Sequence, residues 1–215
     1  QIQQSVAIVG PGASLLTLDA DKKSRVFLID DAQSDILLDV RLSGLTLAGG
    51  RSDSDSGGAI FNREDLSLGN CFFLGSFAHD SGGAIFNDEN SSVTLINCSF
   101  LGNFSYDSGG AIHNDNNSSP ILINCSFQGN NSDADHSFGG GAIYNGTNSS
   151  PVLINCIIWH NRSENSVNTR QASIYNADGA APTYSHCLIQ NYSVDDLGAG
   201  SGNLDGPNAD NDPQF

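Results

Sequence analysis

The tetrapeptide Gly-Gly-Ala-Ile occurs four times, at 57–60, 82–85, 109–112 and 140–143, and each copy runs into an aromatic residue or His and then Asn. Five cysteines, at 71, 98, 125, 156 and 187, keep step with it at spacings of 27, 27, 31 and 31 residues. A period of this length means that one supersecondary unit is stacked many times, each copy burying its apolar face only against its neighbours. Such a repeat constrains architecture tightly. It says little about function, because solenoid chemistry resides in loops outside the repeat.

The best-defined unit, residues 82–108, holds three short apolar runs separated by polar turns, none long enough for an ordinary helix. Three strands in such a period make a triangular coil. Fixed positions in every period then require each strand to pair with its counterpart one coil on. The expected fold is an all-β, single-stranded parallel β-helix of about seven coils. One domain spans 1–215, with looser coils over 1–50, regular coils over 51–192 and an irregular tail over 193–215.

Aligned on cysteine, one column reads Gly44, Cys71, Cys98, Cys125, Cys156 and Cys187. Two places later stand Thr46, Phe73, Phe100, Phe127, Ile158 and Ile189; two places earlier stand Leu42, Gly69, Ile96, Ile123, Ile154 and Ser185. Strict alternation puts all three columns on one face, the expected core. Leu68, Leu95, Leu122, Leu153 and Tyr184, three before cysteine, then either point outward as an apolar stripe or mark a bend in the strand. The odd number of cysteines forbids complete pairing within the chain, and no Cys-x-x-Cys spacing suggests zinc. Periodic placement reads as a ladder of reduced, buried thiols.

Asn62, Asn87, Asn114, Asn145 and Asn176 form a column at a turn, and Asn103, Asn130 and Asn161 form another. Stacked amides at such positions satisfy turn backbone and one another. The paired glycines answer either a positive φ or a coil wall too close for a Cβ. Asn97-Cys-Ser99 and Asn124-Cys-Ser126 have the form of glycosylation triplets, but a place in a core strand argues against attached sugar.

Net charge is -16, from 24 acidic against 8 basic residues, which argues against nucleic acid as a partner. Acidic residues gather before the glycines, at Asp53, Asp55, Asp80, Asp107, Asp133 and Asp135. Equivalent loops stack these carboxylates along one edge, where they are either a solvated acidic rim or ligands for Ca²⁺. Phe61, Phe86, His113, Tyr144 and Tyr175, with Trp159 near in sequence, stack against sugar rings if they face water. The preceding Ile60, Ile85, Ile112, Ile143 and Ile174 compete with them for the interior. Lysine occurs only at 22 and 23, the arginines do not cluster, and no acid stands apart from its coil neighbours. Neither a carboxylate pair nor a calcium-and-base arrangement for glycan cleavage is legible, so no catalytic residue is assigned. No transmembrane stretch is read, and a start at Gln1 reads as part of a longer protein.

Gly-Gly-Ala-Ile with Phe-x-x-Asn (Phe100 to Asn103, Phe127 to Asn130) resembles the tandem repeats of chlamydial polymorphic outer-membrane proteins. It also resembles related coils of bacterial secreted surface proteins. Ala7-Ile-Val-Gly-Pro-Gly12, Ser24-Arg-Val-Phe27 and Leu42-Ser-Gly-Leu-Thr-Leu47 are similar to the opening coils of large bacterial right-handed β-helix proteins. The resemblance covers roughly residues 5–200. It departs at Leu74-Gly-Ser76 and at Ala172-Ser-Ile174. It implies right-handed coils and an extracellular or outer-surface location. The expected function is a non-catalytic structural or adhesive β-helix: a stalk, surface protein or filament subunit. The alternative is a carbohydrate-binding or polysaccharide-degrading β-helix of lyase or glycosidase type. Other copies of the chain and surface glycans are the expected partners.

Overall fold

The structure is a computed structural model that describes residues 1–32, 37–133, 139–164, 170–197, 201–204, 206–207 and 211–213. The chain winds as a right-handed parallel β-solenoid, every strand pairing with its counterpart one coil away. Sheet one has seven strands: Val6–Val9, Asp39–Ser43, Asp65–Gly69, Ser92–Ile96, Ile121–Ile123, Val152–Ile154 and Thr183–Ser185. Sheet two also has seven: Thr17–Asp19, Thr46–Ala48, Phe72–Leu74, Ser99–Leu101, Ser126–Gln128, Ile157–Trp159 and Leu188–Ile189. Sheet four carries the repeat signature in Phe27–Ile29, Ile60–Asn62, Ile85–Asn87, Ile112–Asn114, Ile143–Asn145 and Ile174–Asn176.

Between sheets two and four lies a further ladder, sheet three, of two-residue strands: Arg51–Ser52, Phe77–Ala78, Phe104–Ser105, Asn131–Ser132 and Arg162–Ser163. A coil therefore has four sides where the sequence suggests three. Two residues with a serine or alanine facing inward leave no apolar run to read.

The interior follows alternation within each strand, but alternation is reset at one corner. Gly44, Asn70, Asn97, Asn124, Asn155 and His186 all have φ between 52° and 63°. Asn and Gly tolerate this left-handed conformation best. The bend turns the chain so that residues three before and two after the Asn–Cys step share the core. Leu68, Leu95, Leu122, Leu153 and Tyr184 are buried, whereas Ile96 is exposed and Gly69, Ile123, Ile154 and Ser185 are half-buried. Counted from the five cysteines, the column two before, expected inside, faces out and the leucine column faces in; Leu42, at the head of the expected column, is buried in register with Leu68.

Register corrects the head of the stack as well. Ser43 pairs with Gly69 and Thr46 with Phe72, so Leu45, not Gly44, stands above Cys71. Leu47, not Thr46, stands above Phe73. Below it the Phe73, Phe100 and Phe127 rings stack with centroids 4.6 Å apart. That is the strand spacing itself, and each such burial contributes ~1.5–3 kcal/mol.

The five cysteines are free and buried. Each Sγ points at the carbonyl two residues back, 3.3–3.4 Å away, which the corner turns inward. A small side chain with a weak donor suits that place. The neighbouring thiols of Cys125 and Cys71, with burial, push the Cys98 thiol up, so it stays protonated.

At the start of the stack Ile2, Ile8 and Leu18 pack against the core but are only partly covered. At the other end Leu204 N donates to Cys187 O and Gly206 N to Tyr192 O, while Leu197 is buried. The tail thus lies across the last coil.

Candidate functional site

The two inner asparagine columns are continuous hydrogen-bonded ladders. Asn62 Nδ2 donates to Asn87 Oδ1 at 3.2 Å, Asn87 to Asn114 at 2.8 Å, Asn114 to Asn145 at 2.9 Å and Asn145 to Asn176 at 2.8 Å. Asn103 Nδ2 donates to Asn130 Oδ1, and Asn130 Nδ2 to Asn161 Oδ1, both at 2.9 Å. All but half-buried Asn176 are buried, and they are committed to one another and to turn backbone.

A third ladder, unread in the sequence, runs along the outside. Asn97 donates to Asn70 at 3.1 Å, Asn124 to Asn97 at 3.0 Å and Asn155 to Asn124 at 3.1 Å. Asn97 and Asn124 are therefore exposed corner residues and do not sit in a core strand.

The aromatic column is packed on the outer side of sheet four, with Ile60, Ile85, Ile112, Ile143 and Ile174 inside. Ring centroids are 5.1 Å apart for Phe61–Phe86, 5.0 Å for Phe86–His113, 4.4 Å for His113–Tyr144 and 5.3 Å for Tyr144–Tyr175. Phe61, Phe86 and His113 are buried, and Tyr144 and Tyr175 are half-buried. Arg25 and Arg63 lie over Phe61, 5.3 and 5.1 Å from its centroid, as cation–π partners. Trp159 is not part of this row. It is buried on sheet two, in register with Gln128. The rings and the indole do not form one exposed platform.

His113 Nδ1 lies 2.9 Å from Ser108 Oγ. Burial drives its pKa down to about 3, so the ring is neutral. Flanked by Phe86 and Tyr144, it fills the place of an aromatic residue.

The acidic loops lie between sheets three and four. Asp55 pairs with Arg25 at 2.8 Å, Asp53 with Arg51 at 2.6 Å and Asp80 with His79 at 3.0 Å. Asp107 is exposed, Asp133 is half-buried, and Asp135 lies outside the described residues. Among the described residues these aspartates do not converge on a shared point; another group does. Asp30, Asp31 and Glu64 bring one ligand atom each within 4.8 Å of one another. Glu64 is 1% exposed, and its oxygens accept from Asp31 N at 3.2 Å and Leu38 N at 2.8 Å. Arg63, next in sequence, bridges Asp30 at 3.1 Å and Asp88 at 2.7 Å. This acidic group could hold a metal ion with oxygen donors.

Sequence reasoning missed Glu64, yet a signal existed. The first and second Gly-Gly-Ala-Ile copies are 25 residues apart and the second and third 27. The shortening falls after Asn62, where strand Asp65–Gly69 begins three residues on, against five from Asn87 to strand Ser92–Ile96. That tighter turn tucks the glutamate under the chain.

Fold and ladders together define a parallel β-solenoid whose inner polar residues are spent on holding coils in register. A family model described as the Chlamydia polymorphic membrane protein (Chlamydia_PMP) repeat matches residues 97–115. No curated protein and no solved structure matches the chain. Among the described residues no helix is long and apolar enough to cross a membrane.

Proposed function

We propose that this solenoid is a non-catalytic structural or adhesive element on the outside of a bacterial cell, acting as a stalk, surface protein or filament subunit. The repeat match over residues 97–115 carries the reading, because it falls within an unbroken stack of equivalent coils. Supporting it, the residues most suited to chemistry are committed elsewhere. The asparagines are laddered, buried His113 is stacked and neutral, Asp53 and Asp55 pair with arginines, and Asp80 lies against the His79 ring. The glycan-processing alternative needs an open row of rings beside a carboxylate, and the ring row is mostly covered.

For the acidic group at Asp30, Asp31 and Glu64 we propose Ca²⁺, since every donor is a hard oxygen. The reading is tested with beads coated with folded or heat-unfolded chain, applied to glycan-coated and cell surfaces. Retention of the folded-chain beads alone is expected. Equal retention of both preparations contradicts it.

A further inference from the structure

We propose that two copies of this chain associate side by side through the uncharged half of the solenoid, centred on the outer face of sheet one. Residues 66–79, 90–106, 116–132, 146–161 and 179–194 contain no Asp, Glu, Lys or Arg. These five runs are successive coils, and apart from Asp65 they build the last five strands of sheets one and two and the asparagine corner between them. The charge of -16 is carried by the turns that flank sheet four, by the first coils, whose edge of sheet one holds Asp39, Arg41 and Asp65, and by the tail after residue 194.

The uncharged wall is also apolar at its centre. Ile96 and Ile121 are 41% and 40% exposed on sheet one, beside half-buried Ile123, Val152 and Ile154. Leu74 and Leu101 are exposed on sheet two. A contiguous β-branched patch of this kind marks an interaction surface.

Charge selects the occupant. Copies with this net charge repel when their acidic halves meet, whereas contact through the uncharged wall leaves those halves on the outer flanks. A strongly basic or acidic partner finds no counter-charge there. A second copy presents the same patch about a two-fold axis. Strand spacings of about 4.8 Å and a rise of about 3.3 Å per residue give the two outer faces roughly 600 Å² over five coils. That approaches the ~800 Å² that each partner gives to a stable interface, so the pair dissociates on dilution. The inference names a partner for the structural solenoid and rests on that reading only for its role in the cell, not for its geometry.

Sedimentation equilibrium of the whole chain from about 10 µM to about 1 mM spans the range in which such pairs come apart. The mean mass is expected to climb from one copy toward two, more steeply when salt screens the acidic halves. Ile121→Asp with Ile123→Asp, both outward, is expected to stay at one copy with the fold retained by circular dichroism. Thr94→Lys with Thr183→Lys does the same should that pair fail to fold. Asp107→Asn, on the acidic edge, leaves association intact. A one-copy mass throughout, or association that survives the outward substitutions, overturns the proposal. A single-copy protein whose beads still adhere overturns it while leaving the structural reading in place.

Discussion

Ser108 Oγ lies 2.9 Å from Nδ1 of His113, and both residues are buried between the loop and sheet four. Burial lowers the histidine from its ordinary 6.5 to about 3, so folding keeps the ring neutral. Between those values the unfolded chain binds more protons. Stability is therefore complete above pH 6.5 and is lost as pH falls toward 3, by on the order of a few kcal/mol. His113→Phe, which copies Phe86 one coil earlier, is expected to flatten that part of the curve. Urea melts of both proteins across the window check it, and identical slopes would count against it.

The corner at Asn124 sets opposite fates for adjacent residues. Leu122 is buried and Ile123 is half-exposed. Leu122→Asp places an unpaired charge in the core and is expected to abolish folding or cost upwards of about 4 kcal/mol. Ile123→Asp is expected to cost less than about 1 kcal/mol. Thermal melts separate the two, and equal losses would show that alternation is not reset.

That corner also explains what was readable in advance. The Cys and Phe columns, the two inner Asn ladders and the coil period follow from identity at fixed spacing, which survives any bend. Inside and outside do not follow, because one left-handed residue shifts the parity of every position before it. Gly44 shares its residue type with no member of either the Asn or the Cys column, so only register places it opposite Asn70. The acidic group at Glu64 escaped because only the shortened turn of one coil creates it, so no repetition announces it.

The two kinds of glycine in the coil differ in the same measurable way. A Cβ on Gly83 would overlap the carbonyl oxygens of Gly110 and Phe104, both backbone. Gly102 has φ +63° and nothing within 4 Å of the added carbon. Gly102→Ala is expected to cost about 1 kcal/mol in left-handed strain. Gly83→Ala should cost several times that or prevent folding, as seen in yield of soluble folded protein. A mild Gly83→Ala would mean that the coil wall is looser than the contacts indicate.

Asn130 is a fully bonded rung in the middle of its ladder. Its side chain accepts from Asn103 N at 3.0 Å and Asn103 Nδ2 at 2.9 Å, and donates to Phe100 O at 3.1 Å and Asn161 Oδ1 at 2.9 Å. Asn130→Ala leaves buried partners unsatisfied and is expected to lower stability by about 2–4 kcal/mol. Asn97→Gly, in the exposed ladder and compatible with its φ of 55°, is expected to change it by less than about 1 kcal/mol. Chemical denaturation ranks the two, and a reversed order would refute the division into inner and outer ladders.

We propose that these coils hold and present a surface without turning over a substrate. Incubating the folded chain, with and without millimolar Ca²⁺, on a panel of neutral and acidic polysaccharides and counting new reducing ends tests it most directly. No release above the blank is expected on any polymer in either condition. Sustained release that scales with protein concentration would contradict it.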